Sequence, residues 1–204
     1  MTWLPTRSGV PISLVEPTAA EVDFAELAWS LANLNRFAGH PQTTVSVGLH
    51  TLIGLNIAPP PLKAHWLLHD AHESRTGDVT SPAKDSLDHL ARLRFGPEVA
   101  EQIRTVRQQF EQIHDVAIHA AAGLDMPTAA QRETIKQIDL IALATEKRWF
   151  CAPCPRPWFI DGAGIQSLAT KPKWMPPDRV ADALLQAFLR HLPALKGKSG
   201  RAVA

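Results

Sequence analysis

Residues 65–73 read His-Trp-Leu-Leu-His-Asp-Ala-His-Glu, and this run limits the folds open to the chain more than any other. At about 3.6 residues per helical turn, His69 and Glu73 stand one turn apart, with Asp70 beside them at about 100°. Trp66, Leu67 and Leu68 supply apolar surface around them. Charged and polar groups in an otherwise apolar helix are costly to bury unless something binds them. An imidazole and a neighbouring carboxylate can both reach one metal ion. A second carboxylate one turn on can hold a metal-bound water. The helix carrying this run therefore belongs inside the fold, with other helices wrapped around it.

The rest of the chain supplies those helices. Residues 1–16 carry Trp3, Leu4, Val10, Ile12 and Leu14 around a Ser8-Gly9 turn, which predicts a short hairpin or arm. Thr18, with Glu21 at the capping-box position, predicts the start of a helix with Phe24, Leu27, Ala28 and Leu31 on its core face. A polar loop spans 35–44, and a helix over 45–57 carries His50 and stops at Pro59-Pro60-Pro61. The central helix covers 62–74 and ends at Gly77. A short helix over 83–94 follows, and Gly96-Pro97 breaks it. A long amphipathic helix over 98–122 has Ile103, Val106, Phe110, Ile113 and Ala117 on its expected core side, with His114 and His119 as surface residues. The helix over 128–149 buries Asp139 in the apolar run Ile138, Leu140, Ile141, Leu143. Residues 150–176 form a long loop rich in Pro, Gly and Trp, and a last helix over 177–192 turns Val180, Leu184, Ala187, Phe188 and Leu192 inward. The expectation is one all-α domain over 1–195 with a small N-terminal β-hairpin, and a disordered tail over 196–204.

Composition narrows the partners. With 21 Lys plus Arg against 20 Asp plus Glu, a dedicated nucleic-acid surface is not expected. No run of about 18 apolar residues predicts a membrane span, and no N-terminal signal peptide is expected. Two Cys require no disulfide framework, so a cytoplasmic setting is expected. The single Cys151-Ala-Pro-Cys154 lacks the further ligands of a zinc site and the βα context of a redox motif, and reads as reduced thiols in a loop. Trp149, Trp158 and Trp174 around it could cover a pocket mouth or form a subunit contact.

His50, His69, Asp70 and Asp139 make a set of two imidazoles and two carboxylates suited to a divalent first-row metal. Their order on helices, His then His-Asp then a distant Asp, resembles the signature of the HD-domain phosphohydrolases. The run from Leu31 to His40 with Ser46-Val47 and His50, then Leu68-His-Asp-Ala-His-Glu73, Gly77-Asp78 and Ser81-Pro82-Ala83-Lys84, is similar to YfdR-type proteins, relatives of the YfbR-type 5′-deoxynucleotidases. The sequence departs from that pattern at Gly48-Leu49, where a Glu or Gln more often precedes the His.

The resemblance implies an HD-domain helical bundle and one divalent metal ion (Mn, Co, Fe, Zn or Mg) on His50, His69, Asp70 and Asp139. It implies Glu73 as acid/base carboxylate, with Asp70 also at the reacting centre. Arg36 and Lys84 would contact phosphate, Phe37 and Asp78 would lie near the sugar, and His40, in the same loop as Arg36, is a further candidate substrate-binding residue. The implied activity is release of phosphate from 2′-deoxynucleoside 5′-monophosphates. Triphosphohydrolase action on dNTPs is the alternative, and a catalytically silent nucleotide-binding HD domain a lesser one. The partners expected are a nucleotide substrate and possible further copies of the chain. Without the resemblance the residues carry part of this. Metal lowers the pKa of bound water. A Glu one turn away can take or give a proton. Arg offers a two-pronged fork to phosphate, and Lys a point charge.

Overall fold

The computed structural model describes residues 2–196. Strands β1 (Trp3–Pro5) and β2 (Pro11–Ser13) pair antiparallel with Leu4 opposite Ile12, and the ladder ends where Pro5 faces Pro11 and amide donors run out. The expected hairpin is therefore present, and Gly9, at φ +83°, closes its turn. The rest of the described fold is helical: α1 (Phe24–Asn33), α2 (Val47–Leu55), α3 (Lys63–Leu68), α4 (Glu73–Thr76), α5 (Ser81–Phe95), α6 (Pro97–Ala122), α7 (Ala129–Phe150) and α8 (Pro177–His191). The tail expected to be disordered lies, beyond Lys196, outside the described residues. No helix among the described residues is long and apolar enough to cross a membrane.

The core forms where α8 packs on α1, α2 and α3. Leu184, Phe188 and Leu192 meet Leu27, Leu31, Val47 and Leu67, and the Phe24 and Phe188 rings meet edge to face at 5.5 Å. Val180 and Ala187 are buried too, so the expected inner face of the last helix holds. The loop over 150–176 packs against the body: the Trp149 indole donates to the Leu168 carbonyl at 3.2 Å and the Trp174 indole to the Thr44 carbonyl at 3.0 Å.

Four expectations are corrected. The capping box at Thr18 and Glu21 opens only a single turn over Ala19–Glu21, and Asp23 caps α1 by accepting from the amides of Ala25 and Glu26. The central helix over 62–74 is not continuous. Between α3 and α4 the amides of His69, Ala71, Glu73 and Ser74 bond three residues back, to Trp66, Leu68, Asp70 and Ala71. This tighter winding follows from His69, whose Nδ1 also claims the Trp66 carbonyl at 2.7 Å. The expected core side of α6 instead faces water, with Ile103 40%, Val106 64% and Ile113 37% exposed; Ala117 alone of that set is buried. No described helix lies over that side, because α5 packs against another. His114 and His119, expected at the surface, are buried. His114 lies against the buried Arg75, at 3.4 Å from Nη1, and His119 donates to the Asp115 carbonyl at 2.9 Å.

Candidate metal centre

The loop before α2 is fixed first. The Arg36 amide donates to the Val45 carbonyl and the Val47 amide to the Leu34 carbonyl, which clamps both ends of the loop together. Ser46 then caps α2 by accepting from the Leu49 amide at 3.1 Å. Gly48, where the pattern departs from its relatives, sits where a Cβ would stand 2.9 Å from Val180 and 3.2 Å from the Ala32 backbone, so glycine lets α2 approach α1 and α8. Two residues on, His50 is fully buried.

Trp66 sets the orientation of both imidazoles. It is fully buried, donates its indole N–H to the Thr51 carbonyl at 2.8 Å and stacks on His69 with ring centroids 3.8 Å apart. Gly54 provides the space: a Cβ there would stand 2.0 Å from the Trp66 ring. His69 Nδ1 donates to the Trp66 carbonyl, and His50 Nδ1 donates to the Glu146 carboxylate at 2.7 Å. Both Nε2 atoms are thereby turned toward each other, 3.3 Å apart.

Carboxylate oxygens close the set. Asp139 Oδ1 lies 3.4 Å from His50 Nε2, and Asp70 Oδ2 lies 3.1 Å from His69 Nε2 and 3.8 Å from His50 Nε2. The ligand atoms of His50, His69 and Asp139 all fall within 4.8 Å of one another, so this group could hold a metal ion. The donor chemistry fits one: imidazole nitrogens and carboxylate oxygens converge, and Nδ1 of each imidazole is already used. Of the four expected ligands, His50, His69 and Asp139 form this group, and Asp70 Oδ2 lies next to its imidazoles.

The electrostatics show how strongly the centre draws positive charge. Burial and Arg36 push the His50 pKa down, but Glu146 and Asp139 outweigh them and raise it to about 9. Burial would raise Asp139, yet the His50 contact holds it well below the usual carboxylate range. Burial likewise opposes ionisation of Asp70, and His69, His50 and Arg36 overcome it. A cation entering this set displaces the His50 proton, so its binding depends on pH.

Glu146 is the residue that sequence reading missed. It is fully buried, accepts from His50 Nδ1 and also accepts from Arg36 Nε at 3.1 Å. The signal was present: Glu146 follows Asp139 by seven residues, which returns to the same helix face within about 20°. Arg36 reaches from Glu146 toward Asp70, 3.6 Å from its Oδ2, with only 12% of its side chain exposed. It is therefore part of the buried framework as well as a cation at the centre.

Glu73 lies beside the set. Burial, then Asp70 and Asp78, raise its pKa to about 9, and its Oε2 is buried with no hydrogen-bond partner. Asp78 is also raised by burial, within range of Arg36, Asp70 and Lys84. Phe37 adopts φ +56° and Ala38 φ +51°, a left-handed pair that non-glycine residues rarely take. The Phe37 ring lies 5.4 Å from the Arg36 guanidinium and 5.7 Å from the Trp158 ring, so the Trp-rich loop borders this side. Lys84 is committed to Glu111 at 2.8 Å, and His40 is exposed in its loop. A cavity of about 290 Å³ adjoins His69 and Asp139 and is lined further by His65, His119, Arg132 and Lys136.

A helical bundle holding a buried His/Asp cluster thus defines the class: a candidate metal-binding protein of all-helical build with a small hairpin. The chain is 28% identical over 148 residues to the uncharacterized protein YfdR of Escherichia coli K12, covering 72% of each. It is 32% identical over 116 residues to an uncharacterized protein of Rhodobacter capsulatus, covering 46% of this chain and 58% of that relative. These similarities point to a YfdR-like relationship. No protein-family model matches the chain.

Proposed function

We propose that the chain is an HD-type, metal-dependent phosphohydrolase of 2′-deoxynucleotides that releases phosphate from 5′-monophosphates. The observation that carries this reading is the convergence of His50 and His69 Nε2 at 3.3 Å with the Asp70 and Asp139 carboxylates, while Arg36 stands at the edge of the same cluster. His50, His69, Asp70 and Asp139 would hold one divalent ion, which lowers the pKa of a bound water and polarises a phosphoryl oxygen.

The chain's own groups do the rest. Arg36, oriented by Glu146 through Nε and with Nη1 3.6 Å from Asp70, would offer Nη2 to a phosphate oxygen. Glu73 carries a proton into the neutral range through burial and its carboxylate neighbours, so it can donate to a leaving oxygen or exchange a proton with water. Asp78 and the Phe37–Trp158 pair line the side on which sugar and base would lie. Lys84 serves phosphate only if it leaves Glu111, so its role in this reading is secondary.

Triphosphohydrolase action is the second reading. The cavity beside Asp139, with Arg132 on its wall, favours it by offering a further cation to a longer phosphate chain, while Lys136 on the same wall is paired with Asp139 at 2.8 Å. Incubation of Mn-, Co- or Zn-loaded protein with a panel of dNMPs, dNTPs and ribonucleotides tests both. Inorganic phosphate from dNMPs supports the leading reading, and triphosphate from dNTPs supports the second. No turnover with any metal overturns both.

A further inference from the structure

Val99, Ile103, Val106, Phe110, Ile113 and Ala117 recur at alternating steps of four and three residues along α6. A strict spacing of this kind, period 3.5, is the seam by which one helix packs along another. α5 does not fill it. Lys84 pairs with Glu111, and Asp88 with Arg104 and Arg107, so α5 and α6 run antiparallel and meet through those polar edges with Ala91 and Ala100 buried between.

On a helical wheel, the α6 seam and the Leu87–Leu90 edge of α5 fall on the same side of this hairpin. That side faces water: Leu87 is 53% exposed, Leu90 51% and Val106 64%. Between Gln102 and Ala117 no charged residue of α6 falls on it, and the α5 edge carries one, Arg94, in the last turn of that helix.

We infer that this face is a self-association surface, on which the α5–α6 hairpins of two copies of the chain form a four-helix bundle. The occupant follows from the pattern. A 3.5-residue seam calls for a helix with the same spacing, and this surface presents one. A two-fold pairing of apolar faces is self-complementary, with Arg94 at the end of the α5 edge. The area agrees. Two helices about 20 Å across and 22–27 Å long give a footprint on the order of 500 Å² per copy. That is at the upper end of what a monomer exposes as one apolar patch. Doubled, it comes to about 1,000 Å² in projection, the low end of specific interfaces, so a dissociation constant of roughly micromolar order is expected. The inference is independent of the chemistry proposed above.

Sedimentation velocity of the full chain, from about 1 to 200 µM, reads the association directly. A concentration-dependent dimer is expected. Leu90→Glu with Val106→Glu should abolish it, while Gln108→Glu, off the seam, should leave it unchanged. Leu90→Gln with Val106→Gln keeps helix propensity and should weaken association roughly tenfold or more, with far-ultraviolet circular dichroism unaltered. A wild-type chain that stays monomeric throughout the range overturns the inference. So does a dimer that survives both double substitutions with the helix content intact.

Discussion

The metal-centre region and the α5–α6 hairpin reverse each other's solvent preference. Around α2, α3 and α7 the chain buries imidazole, carboxylate and guanidinium groups within apolar helices, with His50 and Glu146 fully out of water. Along the hairpin it leaves Leu87, Leu90, Ile103 and Val106 in water. Each arrangement is costly alone. The buried charges are sustained by one another, through His50–Glu146–Arg36. The exposed apolar stripe has no such internal compensation. A helical period identifies a face, then, but only the surrounding elements decide whether that face meets core, ligand or partner.

The largest effects should come from breaking the buried side. His69→Ala or Asp139→Ala should lower metal content to less than about a tenth per chain, by elemental analysis, and remove turnover with it. Glu73→Ala should keep the metal and lower kcat by roughly 10²–10⁴-fold. Val106→Glu on the hairpin should alter neither quantity. If the Glu73 variant loses its metal, Glu73 is a ligand and the assigned role fails. If Val106→Glu loses metal, the two regions are not separable as described.

A sharper probe is the charge pair that joins α7 to the Arg36 loop. Glu146→Gln keeps the shape but removes the charge facing His50, and metal affinity should fall roughly 10- to 100-fold in a competition titration. Arg36→Ala should lower kcat/KM by roughly ten- to a hundred-fold, and Arg36→Lys should restore only part, since a point charge replaces a fork. A surface arginine could be removed without loss of stability. This one leaves Oε2 of the buried Glu146 without its partner, with His50 alone still bonded to the carboxylate, so Tm should fall as well. An unchanged Tm would show that water reaches Glu146 and that the buried framework is looser than its distances imply.

Much of this was legible in the residues. The hairpin was marked by Ser8-Gly9 and its flanking apolar residues, the helix stops by Gly77, Gly96 and Gly123, and the inner face of α8 by plain periodicity. His50, His69, Asp70 and Asp139 stood out as polar residues in apolar helices, and His50, His69 and Asp139 form one group with Asp70 beside it. What escaped is non-local. The break between α3 and α4 comes from the competition of His69 for the Trp66 carbonyl, which helix propensity does not register. Glu146 looked like one more helix glutamate until α2 placed His50 against it. Ile103 and Val106 carry a core signature that only the absence of a covering helix among the described residues contradicts.

The smallest effect tests the tie between the two regions. His72, beside the metal-centre turn, donates from Nδ1 to Asp115 of α6 at 3.0 Å. Burial lowers the His72 pKa, but Asp115 overcomes it and raises the value to about 9. Unfolded, the imidazole titrates near about 6.5. Between those values the folded chain binds the extra proton, so stability falls as pH rises. The pair's contribution is complete below about pH 6.5 and is lost as pH passes through about 9, a change of roughly 3 kcal/mol. His50 titrates in the same direction, so the informative quantity is the difference between wild type and Asp115→Asn. Urea unfolding at about pH 6, 7.5 and 9.5 should give a difference in stability that is largest at the lowest pH and shrinks toward the highest. A difference independent of pH would mean that His72 is neutral against Asp115, and that the metal-centre turn and the hairpin are joined by packing alone.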